Sequence, residues 1–572
     1  MPSLPPRSRS HNATTPRIAF VGAGPTTIYT LQALVNQATV PFAVTIFEEQ
    51  HVAGRGTPYR PGWNDPAMLS NIASIEIPPL EETLIGWLER LPPDRLAELG
   101  LEAADIDERA FYPRLTLGAF FEDQFDALIA RARAKGHEIQ IRTRCRVIDA
   151  VTDAVTEKAS ITLSFRAQRS AAAKESFDHL VIATGHQWPV HPEVRPQYYL
   201  SPWPASALAN IPPCSVGIRG SSLTAIDAAV ALATGRGEFV EHGDRLLYRP
   251  APNTSEFRIT MMSRKGLLPE ADFYHPVPYE PLAFCTSQAI ERLVAEPADD
   301  LLDQAFSLFK QELAAADPAY AEERSLAQLT LETFCDSYFA DRRGADPFTW
   351  AEANLREAER NLVRKQTVAW RYAILRMHEV IALIVPHLGV KDFERFSRYF
   401  KPVFVDDYAT IPHESIKRLL ALHAAGKLEL KALGERYRVD SHRAEGGAVV
   451  QIGSECLHFP AFIEATGQRP LAAKEFPFPS LLTQGIVRDE SSADPSKPAR
   501  GIVIDDRFHP IADGVATDLL FCLSLPFILG RHPFIQGITS SHEMGSVVGE
   551  ALAAAIARAA QAGVGAELES AE

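Results

Sequence analysis

An apolar run that closes on a glycine turn constrains this chain more than any other feature. Arg17-Ile18-Ala19-Phe20-Val21 leads into Gly22-Ala23-Gly24-Pro25 and then into a helix-forming stretch from about Thr26 to Gln37. A short run of strand formers ending in glycine reads as a buried parallel strand, and Phe42 to Phe47 supplies the next strand, so the segment predicts a βαβ unit. In that setting Gly22 makes the tight turn and Gly24 lets backbone amides approach a pyrophosphate. Pro25 and Thr26 open a helix whose N-terminus carries partial positive charge. Thr27 occupies the place where a third glycine or alanine is usual, which implies a slightly looser contact between helix and strand. Glu48 ends the second strand at the spacing of an acid that accepts hydrogen bonds from the adenosine ribose, with Glu49 as the fallback. The ligand these residues describe is FAD.

The same unit occurs a second time. Ser215-Val216-Gly217-Ile218-Arg219 runs into Gly220-Ser221-Ser222-Leu223, a helix continues to about Thr234, and Ile259 to Met262 forms another strand. Ser222 replaces the second glycine and is small enough for a phosphate to approach the backbone. The partner strand ends in Ser263-Arg264-Lys265, where an NAD-selective site would carry an acid; a basic pair suits the 2′-phosphate of NADPH. Arg264 can grip that phosphate through two parallel hydrogen bonds and Lys265 offers a point charge, although a basic dipeptide after a strand is also an ordinary surface feature. Two strands ending in Ala-Thr-Gly flank this second unit: Leu180 to His186, with Thr184 and Gly185, and Phe462 to Gln468, with Gly467. They look like the crossover strands of flavoproteins that bind two dinucleotides.

With 572 residues the chain exceeds one hydrophobic core, and 46% hydrophobic against 23% charged residues predicts folding along most of its length. The fold class expected is α/β, with two Rossmann-like dinucleotide-binding domains and a helical insertion. Residues 17–200 and 448–565 are assigned to the FAD-binding domain, 201–287 and 401–447 to the NAD(P)-binding domain, and 288–400 to the insertion, where helical spacing replaces strand signals, as in Leu301 to Ala316 and Trp370 to Leu388. Residues 1–16, rich in Pro, Ser and Arg, read as a disordered leader, a transit peptide being the alternative, and 566–572 as a tail. A net charge of −15 and the lack of any basic tract argue against nucleic acid and anionic membranes as partners. No run is long and apolar enough to span a bilayer. The six cysteines lie far apart without a CxxC pair, which indicates neither a zinc site nor a redox dithiol and fits a cytoplasmic protein; no metal is expected.

Beyond these units the chain resembles the YdhS-like FAD/NAD(P)-binding proteins. The matching stretches are Gly22 to Thr30, Ser70 to Pro79, Leu268-Pro269-Glu270-Ala271-Asp272-Phe273-Tyr274, Asp346-Pro347-Phe348 and Pro533-Phe534-Ile535-Gln536-Gly537. More loosely, its layout is similar to that of flavin-dependent N-hydroxylating monooxygenases, among them the aspartate N-hydroxylases that form nitrosuccinate. The resemblance implies that Gly54-Arg55-Gly56 lies near the FAD phosphates, that Asn71 approaches the flavin ring, and that Gln536 and Gly537 come close to its pyrimidine edge. By residue type alone, Arg55 and Gly56 are part of a flexible loop with a cation and Asn71 is a turn residue.

Without a dithiol or a cysteine cluster to receive electrons, oxygen or a small organic acceptor remains. The function expected is therefore an FAD-dependent, NADPH-using monooxygenase acting on a small-molecule substrate, an acidic amino acid first, with oxygen. The alternatives are an NAD(P)H oxidase or reductase with another acceptor, and a flavin-bearing sensor or scaffold. Arg371 and Arg376 in the insertion are candidates for a substrate carboxylate, surface or salt-bridged arginines being the commoner reading. No catalytic side chain is assigned, His186 included, and the oligomeric state is left open.

Overall fold

The two strand-turn-helix units organise two parallel sheets. In the first, Arg17–Val21 sits between Ala43–Phe47 and His179–Ile182; Glu138–Arg142 and Leu520–Cys522 close the two edges, and every pairing is parallel. Ile18, Ala19 and Phe20 are fully buried, as an apolar central strand covered on both faces must be. In the second sheet Ser215–Arg219 lies between Arg258–Ser263 and Ala461–Glu464, with Leu428–Ala432 at one edge and the short strands Tyr198–Tyr199 and Glu193–Arg195 at the other. The computed structural model describes residues 15–569 except 154–159, 169, 190, 244, 297–298, 443–444, 491–499, 513 and 536. The expected leader falls almost wholly outside that range.

The duplication extends past the central strands. A three-stranded antiparallel sheet, Cys145–Asp153, Ser160–Ala167 and Ala173–Phe177, leads directly into His179–Ile182. Its counterpart, Tyr437–Asp440, Ala448–Ile452 and Glu455–Phe459, leads directly into Ala461–Glu464. Two boundaries read from sequence shift accordingly. Residues 193–199 and 448–464, placed with the FAD-binding segments, carry strands of the second sheet or of the antiparallel layer that feeds it. Ala461–Glu464 pairs in parallel with Ser215–Arg219 just as His179–Ile182 pairs with Arg17–Val21.

The region between the second unit and its last edge strand is helical, as expected, with helices that include Leu301–Ala316, Leu331–Gly344, Pro347–Arg364 and Ala369–Ala382. Its core is aromatic: Phe306 stacks on Phe309, and the other contacts among Phe306, Phe309, Phe334, Phe400 and Phe404 are edge to face or tilted, at centroid separations such as 5.2 and 4.8 Å. The last helix, Gly537–Glu569, is longer than the expected span of about Ser541 to Ala560 and runs into the expected tail. It lies along the first helix, Pro25–Gln37, in close contact. A Cβ on Gly545 would meet the Thr30 nitrogen at 2.8 Å, and one on Gly549 would meet the Thr30 carbonyl oxygen at 2.7 Å. Among the described residues no helix is long and apolar enough to cross a membrane.

Candidate functional site

Gly22 has φ +101°, and a Cβ there would stand 2.3 Å from the Ala183 carbonyl oxygen, so the turn admits glycine only. Its amide donates to the Phe47 carbonyl at 2.8 Å, tying the turn to the end of the neighbouring strand. Gly24 caps the first helix, and a Cβ on it would lie 3.1 Å from the Gly56 Cα. The loop Gly54-Arg55-Gly56 is thus packed on the turn, with the Gly54 amide donating to the Ala23 carbonyl at 2.9 Å. Arg55 is oriented by a hydrogen bond from its Nε to Glu122 at 2.6 Å and lines the same cleft as Gly22, Gly24, Pro25 and Thr26. Glycine backbone, a helix N-terminus and an oriented guanidinium converge on one spot, the donor set a pyrophosphate requires.

Glu48 accepts from the Ala23 amide at 3.0 Å and from the Gln50 amide at 2.8 Å, beside the turn. Burial raises its pKa above the ordinary range against the lowering effect of those amides. Glu49 is more exposed and sits 3.8 Å from Arg146 at the rim, so Glu48 is the acid fixed against the turn. Thr27 departs from the expected looseness: it is fully buried, and its hydroxyl donates to the Gly22 carbonyl at 2.7 Å. The hydroxyl bonds back into the turn.

The second turn repeats the first. Gly220 has φ +141°, a Cβ there would lie 2.2 Å from the Ala465 carbonyl oxygen, and its amide donates to the Met262 carbonyl at 2.7 Å. Ser221 is buried with its hydroxyl on the Leu267 carbonyl at 2.7 Å, and Ser222 caps the helix Leu223–Thr234 without a side-chain bond to its amides. Those amides are left for an anion. At the end of the partner strand Arg264 is exposed on the cleft wall. Lys265 is not beside it: its ammonium rests 3.0 Å from the centre of the Phe339 ring, and burial lowers its pKa to about 8. Successive residues at a strand end point to opposite sides, so only one of the basic pair can serve the cleft.

Both turns open on a single cleft of about 1910 Å³, larger than the roughly 300–1,000 Å³ of a single-ligand pocket. Ser222, Leu223, Asn71, Thr184, Gly185, Gly467 and Gly537 also line it. The Thr184 hydroxyl is 2.7 Å from that of Ser524, and the Gln187 amide donates to the Gln468 side chain at 3.1 Å, which joins the two Ala-Thr-Gly segments. Gly537 begins the last helix, and Ser541 one turn on is 3.1 Å from the Thr26 hydroxyl, so two helix N-termini meet at the first turn. Gln536 lies outside the described residues.

Three residues in the cleft escaped the sequence reading or were left without a role. Arg114, from the first unit, forms an ion pair at 2.7 Å with Asp227, from the helix of the second, and so fastens the two units together across the cleft. Burial raises the Asp227 pKa, and Arg114 pulls it back. Asp227 was the signal available, a lone acid in the apolar run Ala225-Ile226-Asp227-Ala228-Ala229; nothing marked Arg114. His186 is pushed down to about 4 by burial and by the charge of Arg114, so its imidazole is neutral near pH 7.

The insertion arginines do not reach the cleft. Arg371 is buried, 2.7 Å from Glu270 and 3.6 Å from Asp407, with its guanidinium over Phe273. Arg376 donates to the Glu280 and Pro281 carbonyls at 3.1 and 2.9 Å and lies over Tyr372. Arg371 thus ties the insertion to the Leu268–Tyr274 segment, and Arg376 ties it to the Glu280-Pro281 backbone. All six cysteines are free. Among the described residues there is no group of three or more His, Cys, Asp or Glu side chains able to hold a metal.

Residues 19–187 match the FAD-NAD(P)-binding family and residues 286–408 the YdhS-like middle domain. A curated protein of Escherichia coli (strain K12), described as uncharacterized protein YdhS, is 41% identical over 545 residues, which is 95% of this chain and 98% of that protein. Among solved structures, ornithine N-hydroxylase of Kutzneria sp. 744 aligns with 12% identity and a TM-score of 0.49, covering 95% of this chain and 99% of its own. DfoA, the cadaverine monooxygenase of Erwinia amylovora, aligns with 11% identity and a TM-score of 0.47 over 94% of each chain.

Proposed function

The chain belongs to the YdhS-like family and carries an FAD/NAD(P)-binding fold, and from that premise we propose that it is an NADPH-using flavin monooxygenase that hydroxylates the amine of a small amino acid. The observation that carries the reading is the shared cleft. Two glycine turns, each pinned by the alanine carbonyl of an Ala-Thr-Gly strand and leading into a helix N-terminus, open on one continuous space. FAD belongs on the first turn, held by Gly22, Gly24, Arg55 and Glu48. The nicotinamide nucleotide belongs on the second, held by Gly220, Ser222 and Arg264. FAD supplies the redox chemistry; the protein's part is to bind, orient and exclude water.

The described cysteines offer no dithiol to pass electrons on, so oxygen or a small organic molecule remains as acceptor, and the monooxygenase reading takes oxygen. The amine must be attacked in its unprotonated form, so the site has to desolvate it. Aspartate heads the substrate series on the sequence resemblance alone, because Arg371 and Arg376 are committed to Glu270 and to the backbone of the insertion.

The test is a screen of free amino acids with the FAD-loaded protein and NADPH, scoring hydroxylamine or nitroso product by mass spectrometry beside NADPH consumption. Product that depends on amino acid, NADPH and oxygen is the expected result. NADPH oxidation that yields only hydrogen peroxide makes the protein an oxidase, and oxygenation at carbon or sulfur keeps the monooxygenase but rejects the N-hydroxylase.

A further inference from the structure

Two of the sequence stretches that carry the family resemblance, Ser70 to Pro79 and Leu268 to Tyr274, are not used up by the dinucleotide cleft. They meet in a second cavity of about 220 Å³. The loop between them and the cleft has two sides: Ser70 and Asn71 line the cleft, whereas Leu69, Ala73, Ile75 and Glu76 line the cavity. The opposite wall comes from Asp272, Tyr274, His275 and the start of the helix His413–Ala424.

The polar groups of this cavity form a mixed set. Glu76 is 3.5 Å from the Nε2 of His275, whose side chain is 6% exposed. Burial opposes the imidazolium, but Glu76 and Asp272 outweigh it and raise the His275 pKa. Thr410 donates to one oxygen of Asp272 at 3.1 Å, and burial, with the neighbouring charge of Glu76, raises the Asp272 pKa to about 7. Arg109 lies over the Tyr274 ring and donates one of its N–H groups to the His275 carbonyl at 3.1 Å. Glu414 is neutralised by Arg418 at 2.9 Å. Glu76 is taken up by His275 and by the Ala73 amide, which donates to its second oxygen at 3.2 Å, so Asp272 and Arg109 are the acid and base left to meet a ligand, while Leu69, Ile75, Phe111 and Leu362 make the remaining wall apolar.

We propose that this cavity binds a small aliphatic zwitterion, an α-amino acid with an apolar side chain. The ammonium sits against Asp272, the carboxylate toward Arg109, and the aliphatic part on the Leu69, Phe111 and Leu362 wall. Balanced walls select a ligand of zero net charge that carries both signs over a bare amine or a bare acid, because each lone charge would leave a half-buried partner unmatched. The volume lies below the roughly 300–1,000 Å³ of drug-sized pockets, which limits the ligand to amino-acid size. The site is separate from the dinucleotide cleft and does not depend on the N-hydroxylation reading.

Calorimetric titration of the full-length, FAD-loaded protein with L-leucine tests it, with 3-methylbutylamine and 4-methylpentanoate as probes that each keep one charge. L-leucine is expected to bind at least about tenfold more tightly than either. Asp272→Asn is expected to weaken it about tenfold. Leu362 is 38% exposed at the cavity edge, so Leu362→Trp fills the space without entering the buried charge cluster and is expected to abolish the signal while leaving FAD content unchanged. No heat with L-leucine, equal binding of the amine or the acid, or undiminished binding in Leu362→Trp overturns the proposal; the last variant decides the matter even if Asp272→Asn does not fold.

Discussion

The two glycine turns agree to within about 0.1 Å where the backbone demands glycine and differ wherever a ligand would be told apart. Gly22 and Gly220 are each pinned by the carbonyl of the alanine in an Ala-Thr-Gly strand, at 2.3 and 2.2 Å from a hypothetical Cβ. At the second position the first unit has Gly24, roofed by the Gly54–Gly56 loop, while the second has Ser222 with no such roof. At the end of the partner strand the first unit offers Glu48 and the second Arg264. The first turn is thus covered by a loop at its second position, and the second is exposed there.

The strongest way to break the comparison is at the shared glycine. Gly22→Ala and Gly220→Ala each force a Cβ into a carbonyl at positive φ, and each is expected to cost about 3 kcal/mol or more of stability, read from urea midpoints. A tolerated Gly220→Ala beside an untolerated Gly22→Ala would show that the two turns are not equivalent. Next comes the roof. Gly24→Ser is expected to lower FAD affinity at least about tenfold because the loop cannot retreat, whereas Ser222→Gly should leave NADPH use within about twofold. FAD content after desalting and the rate of flavin reduction measure the pair.

Selectivity at the strand end ranks third. Arg264→Ala should cost about 1.5–3 kcal/mol for NADPH, roughly ten- to a hundredfold, with little change for NADH. Equal use of the two nucleotides by the unaltered protein would remove the assignment. The smallest effect is expected at the neighbouring residue. Lys265→Ala should change the NADPH to NADH ratio by less than about twofold, since its ammonium is spent on Phe339. A loss matching that of Arg264→Ala would show that Lys265 swings into the cleft.

Local order made the turns legible from sequence: strand, glycine, helix and second strand succeed one another within a few dozen residues, and each leaves its own periodic or punctuating mark. Contacts between distant segments left none. Arg371 and Arg376 read more readily as surface or salt-bridged arginines than as substrate ligands, but their partners, Glu270, Asp407 and the Glu280-Pro281 carbonyls, could not be named because they lie far off in sequence or on another helix. Lys265 could not be separated from Arg264 without knowing that Phe339 lay on one side of the strand. The second-sheet membership of Ala461–Glu464 was missed because a strand's composition does not say which sheet it joins. Thr27 was recognised as a departure, but nothing marked the packing of the first helix against Gly545 and Gly549, at the far end of the chain.

That last pairing bears on how the protein is made. Thr26 and Ser541 touch across a separation of 515 residues, and at translation speeds of about 5–20 residues per second roughly 25–100 s pass between their syntheses. During that interval the first helix exists without the partner that covers it, and the first sheet lacks its edge strand Leu520–Cys522. The second sheet, by contrast, has all its strands by Glu464. The second sheet can therefore pair all its strands while the first still waits for its last.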